Sequence, residues 1–399
     1  MRAIADAAQR WADADFPPRV RTTEAIAART GYSIPVVEYA LDRLFFPITS
    51  EALIATIESE IGPIGRLDGF EAQGTADSPH AIYARGLDRV CIISSRTTIG
   101  VALIPAIFAL CAKSNVLVKD REDGLIAAFF ATLSEELDEF AESAVAQNWD
   151  STQADAQDLG AYDAVVVFGT DRTLGKVRAN CSPAARFIGY GSRASTGYIA
   201  AADLQDKTVA RKLAAGAARD LILYDSEGCL SLHLLFVERG AAIAPLEFAE
   251  LLSAEAGIAS IEFPIGTREP AAAAALGNYR NLAAFRAATG NGAVFGDETC
   301  SHIIAFDPPR NEPPAFLPRV IGVIPVDGPA DALRYLRTHA IALEGFALSA
   351  QRPELTEMAV RSGAVRFTQF GQLQNPPLAS RHGGLPRIAE FIQWIEQDP

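Results

Sequence analysis

Apolar residues in the first 70 positions recur at helical spacing. The clearest stretch is 36–46, which follows a turn with the sequence TGYS at residues 30–33. Pro47 ends this stretch, because proline lacks the amide that the next helical turn needs. Ser50 is then positioned to cap a helix through residue 60. The pattern predicts a helical N-terminal region over residues 1–70.

The pattern changes near residue 90, where short apolar runs begin to alternate with longer stretches of helical periodicity. The predicted order is strand 90–93, helix 99–112, strand 116–118, helix 124–146 and strand 164–168. The last strand is a continuous valine-rich run, which suits burial on both faces of a parallel sheet. We therefore expect a doubly wound α/β sheet within residues 71–190.

A second α/β portion is predicted after residue 190. Its predicted strands are 234–237, 303–306, 320–326 and 340–343, with helices at 246–256 and 330–337. A chain of 399 residues exceeds the size at which a single core stops growing, so two domains are expected. The second domain is placed at residues 191–372, followed by a C-terminal segment at 373–399.

Charge and composition narrow the class of partner. The formal net charge of -14 opposes a nucleic-acid role, since binding a polyanion requires a basic face. No apolar run reaches the roughly 18 residues of a membrane span, and the polar N-terminus does not resemble a signal peptide. We expect a cytoplasmic protein with a small-molecule substrate and no membrane span.

The five cysteines are scattered, odd in number and without a CxxC spacing. This distribution opposes both a disulfide framework and a zinc site, and it leaves at least one thiol unpaired. The five histidines form no HExxH motif, so metal-assisted hydrolysis has no support either. No metal is expected.

The segment YDSEGCLSLH at residues 224–233 lies between a predicted helix and a predicted strand. Gly228 would let a substrate or backbone approach Cys229 closely. A thiolate there can attack a carbonyl or thioester carbon, while neighbouring amides stabilise the oxyanion. A buried structural cysteine is the alternative, and spacing alone favours that alternative.

Three groups of motifs occur in order along the chain: TGYS and LDRLF at 30–33 and 41–45, EGCLS at 227–231, and GQLQNPP with RH at 371–377 and 381–382. Together they resemble the motifs of the long-chain fatty acyl-CoA reductases of bacterial bioluminescence, a branch of the aldehyde dehydrogenase superfamily. The resemblance implies an aldehyde-dehydrogenase-like α/β fold, in which a Rossmann-type cofactor domain and an α/β catalytic domain accompany the helical N-terminal region. It also implies that Cys229 is the nucleophile.

A nicotinamide cofactor is a further implication of this resemblance. The segment FGTD at 168–171 is similar to the phosphate turn of the superfamily, and it contains Gly169, Thr170 and Asp171. A pyrophosphate at this turn would meet the dipole of the next helix. An ordinary strand-ending turn is the alternative for Gly169.

The segment SNVLVK at 114–119 is similar to the superfamily's cofactor strand, whose lysine would be Lys119. By resemblance Lys119 would hydrogen-bond the adenosine ribose, and a solvated lysine is the alternative. Arg121 is near enough in sequence to receive a 2′-phosphate, whereas Asp120 and Glu122 would oppose one. We expect NADPH, with NADH as the alternative.

The sequence departs from the family at three places. Arg96 or Thr97 occupies the position of the superfamily's oxyanion-binding asparagine, where an arginine would supply a charged donor. Gly189 stands where hydrolytic aldehyde dehydrogenases carry the glutamate that activates water. Glu227 and Leu232 replace a glutamine and a proline near the nucleophile, which leaves the identity of the acyl group open.

His233 and His382 are the histidines nearest to the motifs. Each is a candidate for carrying a proton to the leaving thiolate or to the new aldehyde oxygen. A structural histidine is the favoured alternative for His233, because it enters an apolar strand. A loop contact is the alternative for His382.

The resemblance therefore implies NADPH-dependent reduction of a long-chain acyl thioester to the aldehyde through a thioacyl intermediate on Cys229. Aldehyde oxidation in the opposite direction is one alternative. The other is a degenerate homologue that binds acyl groups or an acyl-transferring partner protein without turnover. The apolar segment 388–395, together with the resemblance, indicates a homo-oligomer.

Overall fold

The computed structural model describes every residue except 76–77, 97, 123, 151–157, 291, 298, 311 and 399. The helices of the described residues are α1 (Arg2–Ala12), α2 (Pro17–Thr30), α3 (Ile34–Phe45), α4 (Ser50–Ile61), α5 (Leu103–Cys111), α6 (Leu125–Glu136), α7 (Phe140–Ser143), α8 (Asp171–Arg178), α9 (Lys207–Ile222), α10 (Pro245–Glu262), α11 (Pro270–Ala288), α12 (Pro329–Thr338) and α13 (Pro353–Arg361).

The strands are β1 (Glu71–Thr75), β2 (Ser78–Gly86), β3 (Arg89–Ile93), β4 (Asn115–Lys119), β5 (Ala144–Gln147), β6 (Ala164–Phe168), β7 (Arg186–Tyr190), β8 (Ala194–Ile199), β9 (Leu232–Glu238), β10 (Ala293–Gly296), β11 (Ile303–Phe306), β12 (Val320–Val326), β13 (Leu343–Leu348), β14 (Arg366–Gln369) and β15 (Ile392–Gln397).

The chain divides into two compact units. The first comprises Met1–Thr30, Val37–Ser192 and Pro377–Pro399, and the second comprises Gly31–Val36 and Arg193–Pro376. The first unit thus includes most of the helical N-terminal region together with the end of the chain. The assignment of a cofactor role to one domain and a catalytic role to the other stays a prediction.

A parallel sheet with the strand order β5-β4-β3-β6-β7 forms the centre of the first unit. All five residues of β6 are buried, as the continuous apolar run predicted. The strand order reverses between β3 and β6, so the loops after these two strands leave the sheet on either side of a crevice. In open α/β sheets such a crevice is where ligands bind. An antiparallel sheet of β1, β2 and β15 completes the unit.

The second unit contains a sheet with the order β10-β11-β12-β9-β8-β13-β14. Its strands are parallel except for the β10–β11 pair. The aromatic side chains of Tyr198, Phe236 and Phe346 are fully buried against this sheet. The central strand β9 begins directly after the loop that contains Cys229, so the loop lies at the edge of a rigid core.

Several predicted elements are confirmed. The predicted strands 164–168, 303–306 and 320–326 coincide with β6, β11 and β12. The predicted cap of α4 is wrong, because Thr49 rather than Ser50 has the extended backbone of a capping residue. The Thr49 hydroxyl accepts a hydrogen bond from the amide of Ala52 at 3.1 Å.

Two predicted helices are too long. The helix predicted at 99–112 begins only at Leu103, because Gly100 has a φ of +72° and belongs to the preceding turn. The helix predicted at 124–146 ends at Glu136, where the backbone of Leu137 becomes extended. Residues 144–147 form β5 instead, because the edge of β4 offers them a ladder of hydrogen bonds.

The strand predicted at 340–343 is also misplaced. Ala340 has a φ of +49° and belongs to the turn after α12, so β13 starts at Leu343. All six residues of β13 are buried, Glu344 included. β13 is therefore buried along its whole length, at the charged residue Glu344 as well as at its apolar residues.

Among the helices that the structure describes, none is both long and apolar enough to cross a membrane. Within the same residues, no three His, Cys, Asp or Glu side chains come together in a way that could hold a metal ion.

Candidate active site

A turn of unusual backbone conformation precedes the Cys229 loop. Tyr224, Asp225 and Ser226 have φ values of +55°, +49° and +57°. The left-handed region costs a residue with a side chain about 1–2 kcal/mol. Such a turn persists only where its surroundings hold it, and strained turns of this kind cluster at functional sites.

Arg319 holds this turn in place. Its fully buried guanidinium donates to the carboxylate of Asp225 at 2.6 Å and to the carbonyl of Phe263 at 2.9 Å. Its backbone amide donates to the hydroxyl of Ser226 at 3.2 Å, and that hydroxyl donates to the carbonyl of Leu221 at 2.7 Å. These buried hydrogen bonds offset the cost of the left-handed residues.

Cys229 lies in the loop between this turn and β9, and it is partly exposed. The hydroxyl of Ser195 donates to the carbonyl of Cys229 at 2.8 Å and accepts from the amide of Gly345 at 2.9 Å. The side-chain amide of Gln374 donates to the hydroxyl of Ser231 at 2.7 Å. Three segments distant in sequence thus converge on the loop.

The GQLQNPP segment is fastened to α9 by a buried carboxylate. Asp220 accepts hydrogen bonds from the amides of Gly371 at 2.7 Å and Leu373 at 3.1 Å. Burial raises the pKa of Asp220 to about 7, although these hydrogen bonds oppose the shift. The segment that carries Gln374 is therefore anchored to the core.

The thiol of Cys229 is far from ionised at neutral pH. Burial raises the pKa of this thiol to about 12, and the negative charge of Glu344 adds to the shift while Arg193 opposes it. Burial also raises the pKa values of Cys91 and Cys111 to about 12. A nucleophilic role for Cys229 therefore requires a proton acceptor.

Gly228 has open space beside it. A Cβ atom there would lie 3.6 Å from the hydroxyl oxygen of Ser231 and 3.9 Å from the side-chain oxygen of Gln374, which are ordinary contacts. The described chain itself therefore does not require glycine at this position. The approach of a substrate along Gly228 stays a prediction.

His233 is buried on β9, with its ring edge-on to Phe316 at 5.1 Å between ring centroids. Its Nδ1 atom has no hydrogen-bond partner among the described residues. Burial lowers the pKa of His233 to about 4, so the imidazole is neutral at physiological pH. A neutral ring can relay a proton only through a partner that the imidazole contacts.

The predicted phosphate turn lies in the first unit. Thr170 caps α8 and accepts a hydrogen bond from the amide of Thr173 at 3.3 Å. Asp171 accepts from the amide of Ser192 at 3.0 Å, so its carboxylate holds the loop that follows β7. A Cβ atom at Gly169 would lie only 3.2 Å from Thr173, so glycine lets this turn close.

Four cations gather near the ends of β3 and β4. Burial is the largest cause of the lowered pKa values of Arg29, Arg121 and Lys119. Repulsion by Arg96 lowers the pKa values of Arg29 and Arg121 further, and for Lys119 the charge of Arg121 has a larger effect than that of Arg96. Lys119 also lies 4.8 Å from the ring centre of Trp149. We call Arg29, Arg96, Lys119 and Arg121 the basic cluster. Thr97, the other residue at the predicted asparagine position, lies outside the described residues.

The two carboxylates beside the basic cluster are engaged with backbone amides. Glu122 accepts from the amides of Gly100 and Ala102, and Asp120 accepts from the amides of Glu122 and Ala127. Burial raises the pKa of Glu122 to about 8, so it is mainly uncharged at neutral pH. The sequence analysis predicted that Asp120 and Glu122 would repel a phosphate, and because Glu122 is mainly uncharged, this repulsion comes mainly from Asp120.

His382 packs among aromatic rings of the first unit. Its ring centre lies 4.4 Å from that of Tyr190 and 5.5 Å from that of Phe168. Phe168 directly precedes Gly169, so His382 lies beside the predicted phosphate turn. The structure thus groups His382 with Arg96, Lys119, Arg121 and residues 169–171 in the first unit, and Cys229 with His233 in the second.

Gly189 lies within β7 in a crowded position. A Cβ atom there would lie 2.9 Å from side-chain carbons of both Leu174 and Phe187. A glutamate at this position would have to displace these side chains. The packing therefore agrees with the absence of a water-activating carboxylate at residue 189.

Several residues of the site were not singled out from the sequence. Glu344, Ser195 and Arg29 belong to no quoted motif. Glu344 offers a signal, because it is a lone carboxylate within an otherwise apolar run and is followed by a glycine. Ser195 and Arg29 offer none, because their roles depend on segments distant in sequence.

The family model of acyl-CoA reductases (LuxC) matches residues 1–394. The chain belongs to this family. The resemblance drawn from its motifs is confirmed, and so is the reduction of a fatty acyl group to an aldehyde as the activity of this oxidoreductase. A search of curated protein sequences finds no match for this LuxC-family chain.

Solved structures with similar folds are dehydrogenases and an oxidoreductase. The oxidoreductase of Marinobacter aquaeolei has a TM-score of 0.75 at 11% identity, over 100% of this chain and 85% of the other. Glyceraldehyde-3-phosphate dehydrogenase GapN of Methanocaldococcus jannaschii, complexed with NADP, has a TM-score of 0.73 at 10% identity, over 100% and 89%. NAD-dependent benzaldehyde dehydrogenase of Corynebacterium glutamicum has a TM-score of 0.70 at 14% identity, over 100% and 85%. The predicted aldehyde-dehydrogenase-like fold of this LuxC-family chain is confirmed.

Proposed function

We propose that this LuxC-family protein reduces a long-chain acyl-CoA with NADPH through a thioacyl intermediate on Cys229. The observation that carries the choice of Cys229 is the convergence of Ser195 and Gln374 on its loop. A loop held by hydrogen bonds from the core presents its nucleophile in a fixed orientation, and acyl transfer gains most from such positioning.

The proposed reaction has two stages. The sulfur of Cys229 first attacks the carbonyl carbon of the thioester and displaces CoA, while amides of the loop stabilise the charge on the carbonyl oxygen. A nicotinamide cofactor, when bound, supplies the hydride that reduces the acyl group. The aldehyde then leaves as the bond to Cys229 breaks. CoA is the proposed carrier, and a thiol on an acyl-transferring partner protein is the alternative.

The basic cluster supports NADPH as the cofactor. NADPH differs from NADH by a 2′-phosphate, and four mutually repelling cations gain from binding such an anion. Lys119 would contact the ribose, while Arg121, Arg96 and Arg29 would hold the phosphate. In this proposal Arg96 binds the cofactor, whereas the resemblance implied that Arg96 stabilises the oxyanion.

The proposed pyrophosphate site is the start of α8. Thr170 and the amides of the first helical turn would hold this group, because a helix N-terminus attracts an anion. The carboxylate of Asp171 opposes the anion, although its hydrogen bond to the amide of Ser192 directs one oxygen to the neighbouring loop.

The direction of the reaction is proposed from Gly189. Oxidation of an aldehyde to an acid needs a base that activates water against the thioacyl group, and general-base help is worth about 100- to 10,000-fold. Residue 189 supplies no carboxylate, and a larger residue there would have to displace the side chains of Leu174 and Phe187. A thioacyl group that hydrolyses slowly persists long enough to be reduced by hydride.

Mass spectrometry of the acylated protein tests the proposal. Incubation with dodecanoyl-CoA and no cofactor should add one dodecanoyl group to Cys229, and added NADPH should then release the aldehyde. Cys229→Ala should lose both the adduct and turnover. Cys300→Ala is the matched control, because Cys300 is also partly exposed and should not matter.

Three results would contradict the proposal. The first is an adduct on a cysteine other than Cys229, and the second is full turnover by Cys229→Ala. Loss of the acyl group to water faster than NADPH reduces it would instead indicate a hydrolytic base, with Glu227 as the first residue to test.

A further inference from the structure

Residues 31–33 of the TGYS motif pack against a loop of the second unit. This loop, residues 263–269, joins the end of α10 at Glu262 to the start of α11 at Pro270. The three motif residues and the loop belong to the same compact unit, although they are far apart in sequence. The motif therefore has a defined partner within the unit that contains Cys229.

Two glycines allow the backbones of the motif and the loop to touch. A Cβ atom at Gly266 would overlap the carbonyl oxygen of Gly31 and would lie 2.8 Å from the amide nitrogen of Ser33. A Cβ atom at Gly31 would overlap the carbonyl oxygen of Thr267, and the φ of +76° at Gly31 itself favours glycine. The obstacles are backbone atoms, which cannot rotate away as a side chain can. A side chain at either glycine would therefore displace backbone.

Arg319 contacts the same loop through its guanidinium. The Nη2 atom of Arg319 donates to the carbonyl of Phe263 at 2.9 Å and to that of Pro264 at 3.4 Å. Gly266 follows Pro264 by two residues. The motif and the arginine thus act on one short stretch of backbone, residues 263–267.

Arg319 also connects this loop to the turn before Cys229. Its Nε atom donates to the carboxylate of Asp225 at 2.6 Å, and its amide donates to the carbonyl of Asp225 at 3.2 Å. Asp225 has a left-handed backbone that it would not adopt without support. The turn continues into the Cys229 loop, where the amide of Glu227 donates to the carbonyl of Tyr224 at 2.9 Å. A displacement of Arg319 would therefore change how the chain enters the nucleophile loop.

We propose that residues 31–33 of the TGYS motif are positioning residues for the Cys229 nucleophile. They fix the stretch 263–267, this stretch fixes Arg319, and Arg319 fixes the turn at Asp225. The proposal rests on the thioacyl mechanism above and adds the support that orients its nucleophile. Acyl transfer depends steeply on orientation, since a displacement of about 1 Å can cost about 100-fold in rate.

Gly266→Ala tests the contact. Gly266 does not have a positive φ, so alanine there is opposed by the motif and not by its own backbone conformation. The maximum rate of Cys229 acylation by dodecanoyl-CoA, measured by intact mass without cofactor, should fall by about 10- to 100-fold. The dodecanoyl-CoA concentration that gives half the maximum rate should stay unchanged, because no thioester-binding group is altered. A merely structural role would lower the folded fraction and leave the rate per folded molecule unchanged.

Gly277→Ala is the matched control. Gly277 lies in α11 of the same unit, and a Cβ atom there would meet none of the described atoms outside its own helical turn within 4 Å. This variant should acylate at the wild-type rate.

Arg319→Lys tests the route between the motif and the turn. Lysine keeps the positive charge beside Asp225 but lacks the fork of donors that also reaches Phe263. Acylation should slow in this variant. The double variant with Gly266→Ala should be about as slow as the slower single variant, because both changes interrupt one chain of contacts.

Wild-type acylation by Gly266→Ala or by Arg319→Lys would overturn the inference, and so would losses that multiply in the double variant. If Gly266→Ala fails to fold, Gly31→Asn takes its place, because asparagine tolerates a left-handed φ and still places a Cβ atom against Thr267. The proposed function stands in each of these cases if the adduct forms on Cys229. An adduct that persists in Cys229→Ala would instead refute the proposed function itself.

Discussion

Gln374 donates a hydrogen bond from its side-chain amide to the hydroxyl of Ser231, 2.7 Å away, although 143 residues separate the two in sequence. Both side chains are buried. The bond joins the QNPP motif to the nucleophile loop two residues after Cys229. The QNPP motif and the EGCLS motif thus lie next to each other in the folded chain.

Replacing Gln374 by alanine should slow acylation of Cys229 by about tenfold and lower the free energy of unfolding by about 1–3 kcal/mol. The reason is that Ser231 loses its partner in a buried place. Quenched acylation assays and urea titration measure the two effects. Gln372→Ala is the control, because the side chain of Gln372 is exposed. Equal acylation rates in the two variants would refute a positioning role for Gln374.

Replacing Arg319 by methionine should lower the free energy of unfolding by about 3–5 kcal/mol, because Asp225 would keep a buried charge without its partner. The left-handed turn before the Cys229 loop would also lose its support. Arg239→Met removes an exposed ion pair with Asp327 and should cost less than about 1 kcal/mol. Denaturant unfolding compares the two variants, and similar losses would contradict the proposed clamp.

Replacing Arg121 by alanine should weaken NADPH binding by about 10- to 100-fold and leave NADH binding unchanged, because only NADPH carries the 2′-phosphate. Lys119→Ala should weaken both cofactors, because both carry the ribose. Calorimetric titration of each cofactor measures these affinities. Arg178→Ala, at the exposed end of α8, is the control. A parallel loss of both cofactors in Arg121→Ala would contradict the phosphate site.

Glu122 should make stability depend on pH. Its pKa is raised by burial to about 8, so between pH 4.5 and 8 the unfolded chain binds fewer protons than the folded one. Stability should therefore fall as pH rises through this range, by a few kcal/mol in order of magnitude. Asp220, with a pKa raised to about 7, acts in the same direction.

Melting temperatures from pH 5 to 8 test this prediction. Glu122→Gln should flatten the decline, and Asp220→Asn should flatten its lower part. Glu142→Gln, which removes an exposed carboxylate, should leave the profile of the wild type. A wild-type profile that rises over this range would show that other groups dominate.

The sequence predicted β3, β4 and β6, the three central strands of the parallel sheet in the first unit, because buried parallel strands are encoded locally. The apolar run of β6 needs no knowledge of its neighbours to be recognised. Prediction failed for β5 and for the start of β13. Residues 144–147 become a strand through pairing with β4, and the turn at Ala340 depends on a backbone conformation that its side chain does not favour.

The candidate site shows the same division. The amino-acid sequence is enough to identify the family and to indicate Cys229, because the motifs that do so are short local patterns. The groups around the thiol, in contrast, become known only from the folded chain. Ser195, Gly345 and Gln374 reach the Cys229 loop from three separate segments, and the charge of Glu344 acts on the sulfur through space. Burial and electrostatic coupling depend on distance in the folded chain, which separation along the sequence does not encode.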